Sequence, residues 1–151
     1  MPKTYYLCKR NYNIMVYLTR VESFNAAHKL SNPDWTEEEN KAVFGKCSNK
    51  NWHGHNYELH VTIKGEPKAE TGYIFNAKTL GQIIKDEVTE KLDHMNLNMD
   101  VDFMKGKMTS AENLAIGIWN QLFEKIKEKD AELYSIRLYE TPKIYVEYFG
   151  N

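Results

Sequence analysis

A chain of 151 residues, 42% hydrophobic and 27% charged, is sized for one compact domain with a sizeable core. Its 20 Lys and Arg against 21 Asp and Glu leave a net charge of -1, so nothing in the balance points to nucleic acid or an acidic membrane surface, and an anionic ligand must be met by local charges. No apolar run approaches the roughly 18 residues of a membrane span, and two cysteines, Cys8 and Cys47, are too few for a disulfide framework, so a cytoplasmic protein with free thiols is expected.

One domain is expected over residues 1–151, with 1–13, polar and tyrosine-rich and without a signal-peptide core, as an N-terminal extension. Ile14 to Ala27 is β-branched and aromatic and reads as a strand. Ser31 to Asn40 reads as a turn followed by an acidic loop or short helix, and residues 41–52 as irregular chain. Tyr57, Leu59, Val61 and Ile63 alternate with Glu58, His60, Thr62 and Lys64, which predicts a second strand ending at Gly65. Asn76 is placed to cap a helix bearing Leu80, Ile83, Ile84, Val88 and Leu92 at helical spacing. Thr109 to Glu112 has the form of a capping box ahead of a second helix carrying Leu114, Ala115, Ile118, Leu122, Phe123 and Ile126. Leu133 to Glu140 and Ile144 to Phe149 read as strands joined by a turn at Thr141-Pro142-Lys143. The order ββααββ predicts an α+β fold: a four-stranded antiparallel sheet with two helices packed on one face. Its other face, rich in Tyr and Phe, invites self-association; a solvated face on a monomer is the alternative.

The chemistry gathers around His53-Gly54-His55. Residues i and i+2 of a strand share a face, so both imidazoles can reach one atom, and Gly54 lets the backbone bend close to it. His28 shares the apolar parity of Val16, Leu18, Phe24 and Ala26, so it is expected to face inward as a third ligand. Three imidazoles with an open position make a catalytic zinc site, whereas Cys47 as a fourth ligand would close a structural one, and spacing alone leaves both open. A cation and imidazoles beside Cys47 would favour its thiolate as a base. His60, of opposite parity to His55, reads as a face residue. Asp93-His94 ends the first helix, either as a C-terminal cap or as a carboxylate orienting an imidazole for proton transfer. Glu140 follows the parity of Tyr134, Ile136 and Leu138, which would carry a carboxylate inward, to meet a structural cation or a ligand with two adjacent N–H donors. The capping box by itself accounts for Glu112.

Across 21–150 the chain resembles the 6-pyruvoyl-tetrahydropterin synthase family, which has the tunnelling fold. The resemblance rests on the order and spacing of Ser23 to His28, Phe44 to Cys47, His53 to Tyr57, Leu92 to Leu97, Thr109 to Asn113, and Tyr139 to Pro142. It implies a zinc lyase that converts 7,8-dihydroneopterin triphosphate into 6-pyruvoyl-tetrahydropterin and triphosphate, in tetrahydrobiopterin biosynthesis. It also implies that His28, His53 and His55 bind Zn2+, that Cys47 abstracts a proton, and that Asp93 and His94 complete the relay. Glu140 would hold the pterin with Glu112 and the Ser110-Ala111 backbone, while Arg20 and Lys29 would lie near the triphosphate. The family assembles as a hexamer of two trimers with active sites between subunits. Three differences stand out: Trp52 where the family usually has glycine, Ser110-Ala111 in place of threonines, and Lys29 in place of arginine, a point charge instead of a bidentate fork. The related 6-carboxy-tetrahydropterin synthases usually carry their cysteine closer to the His-Gly-His element than the spacing from Cys47 seen here.

Overall fold

The computed structural model of the chain describes residues 14–129 and 131–150; the expected 1–13 extension and Cys8 lie outside the described residues. Two thirteen-residue strands, β1 (Val16–His28) and β2 (His53–Gly65), pair antiparallel along their whole length. Between them Thr36 caps a short helix, α1 (Glu37–Phe44), in a capping box with Glu39, and a 3-10 turn follows at Gly45–Ser48. The region expected to be irregular is thus partly helical. The buried Asn40 side chain braces the preceding loop by bonding the Asn32 and Thr36 carbonyls at 3.0 Å.

Asn76 caps the next helix as expected, accepting from the Lys78 and Thr79 amides. This helix, α2, runs as Ala77–Ile84, a π turn at Lys85–Thr89, and Glu90–Leu92. Spacing by four drifts around a regular α-helix, and the wider π turn offsets the drift. Ile84, Val88 and Leu92 therefore all stay buried against the sheet. After α2 the chain adds a two-residue strand, β3 (Met95–Asn96), parallel to the end of β1. The last helix, α3 (Ala111–Lys127), leads into β4 (Glu132–Thr141) and β5 (Ile144–Tyr148).

The sheet order is β3-β1-β2-β4-β5. The expected four-stranded antiparallel sheet is therefore corrected to a mixed, five-stranded one, because β3 is too short to leave an alternating pattern yet long enough to bond the open edge of β1. With α1 the helices among the described residues number three, α2 and α3 packing on one face of the sheet through Leu80, Leu114, Ile118, Leu122 and Ile126. The other face leaves Tyr17, Val21, Tyr145 and Phe149 exposed. No helix among the described residues is long and apolar enough to cross a membrane.

Two expectations shift by one residue. The α3 cap is Ser110, whose hydroxyl accepts from the Asn113 amide, not Thr109, so no Thr109–Glu112 capping box forms and Glu112 projects into solvent. In β4 the register against β2 slips where Thr62 faces Ser135 and Ile63 faces Leu133, leaving Tyr134 as the extra residue of a bulge. Tyr134 consequently packs edge-on against Tyr17, at 4.7 Å between ring centroids, while Ile136 and Leu138 stay in the core. Ile118→Ala should lower unfolding free energy by about 3 kcal/mol in a denaturant titration. Phe123→Ala on the same helix, at a position 38% exposed, should change it far less.

Candidate metal centre and active site

The β1–β2 register puts His28 opposite His53 and Ala26 opposite His55, so three imidazoles meet at one end of the pair. One ligand atom from each lies within 4.8 Å of the others. A Cβ on Gly54 would come within 3.1 Å of the Ala26 carbonyl oxygen, so glycine permits the close approach of strands that brings the rings together. His28 is 1% exposed and its Nδ1–H donates to the Thr109 carbonyl at 2.7 Å, which turns the Nε2 lone pair toward His53 and His55. The buried nitrogens His28 Nε2, His53 Nδ1 and Nε2, and His55 Nε2 have no hydrogen-bond partner among the described residues. Buried polar atoms are seldom left so, and convergent imidazole lone pairs suit a borderline cation such as zinc.

Burial is the largest influence on all three histidines and holds each below the ordinary value of 6.5. The Thr109 carbonyl and then Glu140 pull His28 the other way, and Glu140 does the same to His55. Glu140 Oε1 lies 3.5 Å from His28 Nε2 and 3.7 Å from His55 Nε2. Burial favours the uncharged rings while Glu140 opposes it, so the Glu140 carboxyl stands directly against the histidine cluster. Glu140 occupies a second irregularity in β4, between the Tyr139–Tyr145 and Thr141–Ile144 pairs.

Cys47 is a free thiol outside the ligand set. Its carbonyl accepts from the Leu30 amide at 2.8 Å, which ties its turn to the chain just beyond His28. Burial, then Glu140 and Cys47, push the Tyr57 phenol well above its usual range, and its buried hydroxyl has no partner among the described residues. The Thr109 carbonyl also fixes the start of α3, so Ser110, Ala111 and Glu112 follow directly from the metal centre.

Asp93 and His94 form a separate group. Asp93 accepts from the Asn25 amide at 2.9 Å and from His94 Nδ1 at 2.9 Å, and these bonds, the first larger, hold its carboxyl below the usual range. His94 takes a left-handed backbone, φ 62°, and its amide donates to the Asn25 carbonyl. His94 lines a cavity of about 560 Å³ together with His55 of the cluster, Asn25, Gly54, Asn56 and Asp100; Cys47 is not among its lining residues. Arg20 also stands apart from the metal centre. It pairs with Glu22 and lies against Gly81 of α2, eight residues along β1 from His28, or roughly 26 Å at strand rise. His60 bonds Glu58 at 2.7 Å, away from the cluster. The roles of Thr109 and of Asn98, which bonds both backbone groups of Lys29, left no signal in the sequence, since a carbonyl acceptor and an Asn in a loop have no pattern of their own.

The 6-pyruvoyl tetrahydropterin synthase family profile matches residues 17–151. The 6-pyruvoyl tetrahydrobiopterin synthase of Dictyostelium discoideum is 45% identical over 136 residues, covering 90% of this chain and 97% of the relative. The Homo sapiens protein of the same name is 38% identical over 134 residues, covering 89% and 91%. The structure of Caenorhabditis elegans 6-pyruvoyl tetrahydropterin synthase aligns with a TM-score of 0.86 at 36% identity, covering 92% of this chain and 98% of that one. With these likenesses the chain is an enzyme, a lyase of tetrahydrobiopterin biosynthesis. It belongs to the 6-pyruvoyl tetrahydropterin synthase family.

Because burial depresses the three histidine pKa values, folding favours their neutral forms, and that contribution is present above about 6.5 and lost as pH falls. The melting temperature of chelator-treated protein should therefore drop between pH 7.5 and 5.5. Added zinc should raise it, and by less at pH 5.5, where protons compete for the same nitrogens. A melting temperature that climbs on acidification would contradict this account.

Proposed function

We propose that the chain is a zinc-dependent 6-pyruvoyl-tetrahydropterin synthase acting on 7,8-dihydroneopterin triphosphate in the cytoplasm. The observation that carries this reading is the buried, partnerless set of nitrogens on His28, His53 and His55, with Glu140 against it and the Cys47 turn tied beside it. A bound zinc would supply Lewis acidity, making the hydroxyls and the adjacent C–H bond of the substrate side chain easier to deprotonate.

The remaining work falls to the chain. Glu140 accepts two adjacent N–H groups of the pterin ring, and Glu112 with the Ser110-Ala111 backbone, at the start of α3, completes the ring's seat. Cys47 Sγ takes a proton from a side-chain carbon. Asp93, kept ionised by its two hydrogen bonds, holds His94 Nδ1–H so that Nε2 faces outward and can exchange a proton with the substrate. Loss of a proton from the side-chain carbon next to the ring turns its hydroxyl into a ketone while the ring C=N bond takes up the two electrons and two protons; loss of a proton from the next carbon expels triphosphate with the C–O electron pair, and the enol left behind tautomerises to a methyl ketone, so no external redox partner is needed. Lys29 and Arg20 are assigned to the triphosphate.

One chain keeps Arg20, beside Gly81 and roughly 26 Å along β1 from His28, apart from the histidine cluster, and this separation supports a site completed between subunits. We assign a homo-hexamer of two trimers, formed through the exposed aromatic sheet face. Mass analysis after incubation with dihydroneopterin triphosphate should give 6-pyruvoyl-tetrahydropterin and triphosphate. A carboxy product with acetaldehyde would move the chain to its carboxy-forming relatives, and unchanged substrate would overturn both readings. Cys47→Ala should keep the fold and bound zinc while turnover falls by about 10² to 10⁴.

A further inference from the structure

Trp52, directly before the ligand His53, is held at φ 66°. An L residue pays for that conformation through its Cβ, whereas glycine adopts it freely. A bulky side chain retained there points to a reason outside the backbone. The indole lies beneath the Lys29 ammonium, 4.9 Å from Nζ to the ring centroid, where the ring quadrupole attracts a cation. The Lys29 backbone is pinned as well. Its amide donates to Asn98 Oδ1 at 3.0 Å, and its carbonyl accepts from Asn98 Nδ2 at 3.0 Å and Thr109 Oγ1 at 3.1 Å. Lys29 is thus fixed at both backbone and head, unusual for a partly exposed lysine.

Beyond the Lys29 head lies a groove of about 340 Å³ lined by Lys29, Lys41 and Lys50, by the Ser31 and Ser48 hydroxyls, and by one carboxylate, Glu37. Lysine ion pairs among the described residues use Lys64, Lys85, Lys91 and Lys105, so these three cations keep their charge for a ligand. Two residues of its lining adjoin the proposed active site in the chain, Lys29 following His28 and Ser48 following Cys47. Three cations and the Ser31 hydroxyl along one trough suit an extended polyanion, in a chain whose net charge of -1 supplies no general attraction.

We propose that this groove seats the phosphate chain of the substrate and that Trp52 is its positioning residue, fixing the Lys29 ammonium where the chain leaves the metal centre. The inference rests on the function proposed above and extends it to Trp52, Lys41 and Lys50. Calorimetric titration of the zinc-loaded protein with inorganic triphosphate tests it without turnover. Trp52→Gly should weaken triphosphate binding by about fivefold, and Trp52→Phe by less, since a ring remains under the ammonium. The double variant K41A/K50A should bind more weakly still and with a shallower salt dependence. Binding of unphosphorylated dihydroneopterin should be the same in all of them, and the melting temperature of Trp52→Gly should equal or exceed the parent's, because glycine relieves the backbone.

Triphosphate binding that is equal in parent, Trp52→Gly and K41A/K50A overturns the proposal even if the parent turns over its substrate. A parent inactive on dihydroneopterin triphosphate that still shows the graded triphosphate affinities removes the proposed function and leaves the anion site standing.

Discussion

The register of β1 against β2 is the constraint on which the rest depends. Side chains alternate along a strand, so a slip of β1 by one residue would turn His28 away from His53 and His55 and move Phe24 and Ala26 out of the core with it. Core and candidate metal centre are therefore specified by the same pairing. Burial of the alternate residues resists slippage along the whole length of the strands, and the imidazoles at their end inherit that resistance. Gly54 completes the arrangement, since the Ala26 carbonyl occupies the space a larger residue would need.

The hydrogen bond from His28 Nδ1 to the Thr109 carbonyl joins this strand end to the start of α3. It selects the tautomer of one ligand and sets where Ser110 and Glu112 begin. The Thr109 hydroxyl reaches the Lys29 carbonyl and Asn98, so one residue braces the metal side and the lysine side together. Left-handed backbone at non-glycine residues, which tertiary context must hold in place, occurs among the described residues at Trp52 and His94. One adjoins a ligand and the other bears the exposed imidazole of the Asp93 pair. Strain thus gathers where chemistry is proposed, while the interior follows ordinary packing rules.

Much of this was legible because periodicity reports burial directly. The parity that turned His28 inward, the alternation from Tyr57 to Ile63 and the spacing on α2 and α3 all follow from one buried face per element. What stayed hidden leaves no period. A bulge at Tyr134 reverses parity with no preceding cue, since a tyrosine suits either face of a strand. The β3 strand is two residues long, and the capping box near Thr109 was displaced because Ser110, the next residue, caps equally well. The pattern Thr36-Glu37-Glu38-Glu39 has the same form and does make a box. The positive φ of Trp52 runs against the preference of its residue type, so a tryptophan carries no cue for it.

The partnerless nitrogens connect stability with chemistry. A buried polar atom without a partner costs about 1–3 kcal/mol, and several such atoms converge at the end of the longest strand pair. The fold sustains them because β1 and β2 are held along their whole length by pairing and by the core beneath. A cation bound there would satisfy them together and so bind the folded chain in preference to the unfolded one, adding its affinity to the stability of the fold. Since Glu140 lies against His28 and His55 and the Cys47 turn is tied just beyond His28, the interaction that would anchor the metal would tighten the residues proposed to act beside it.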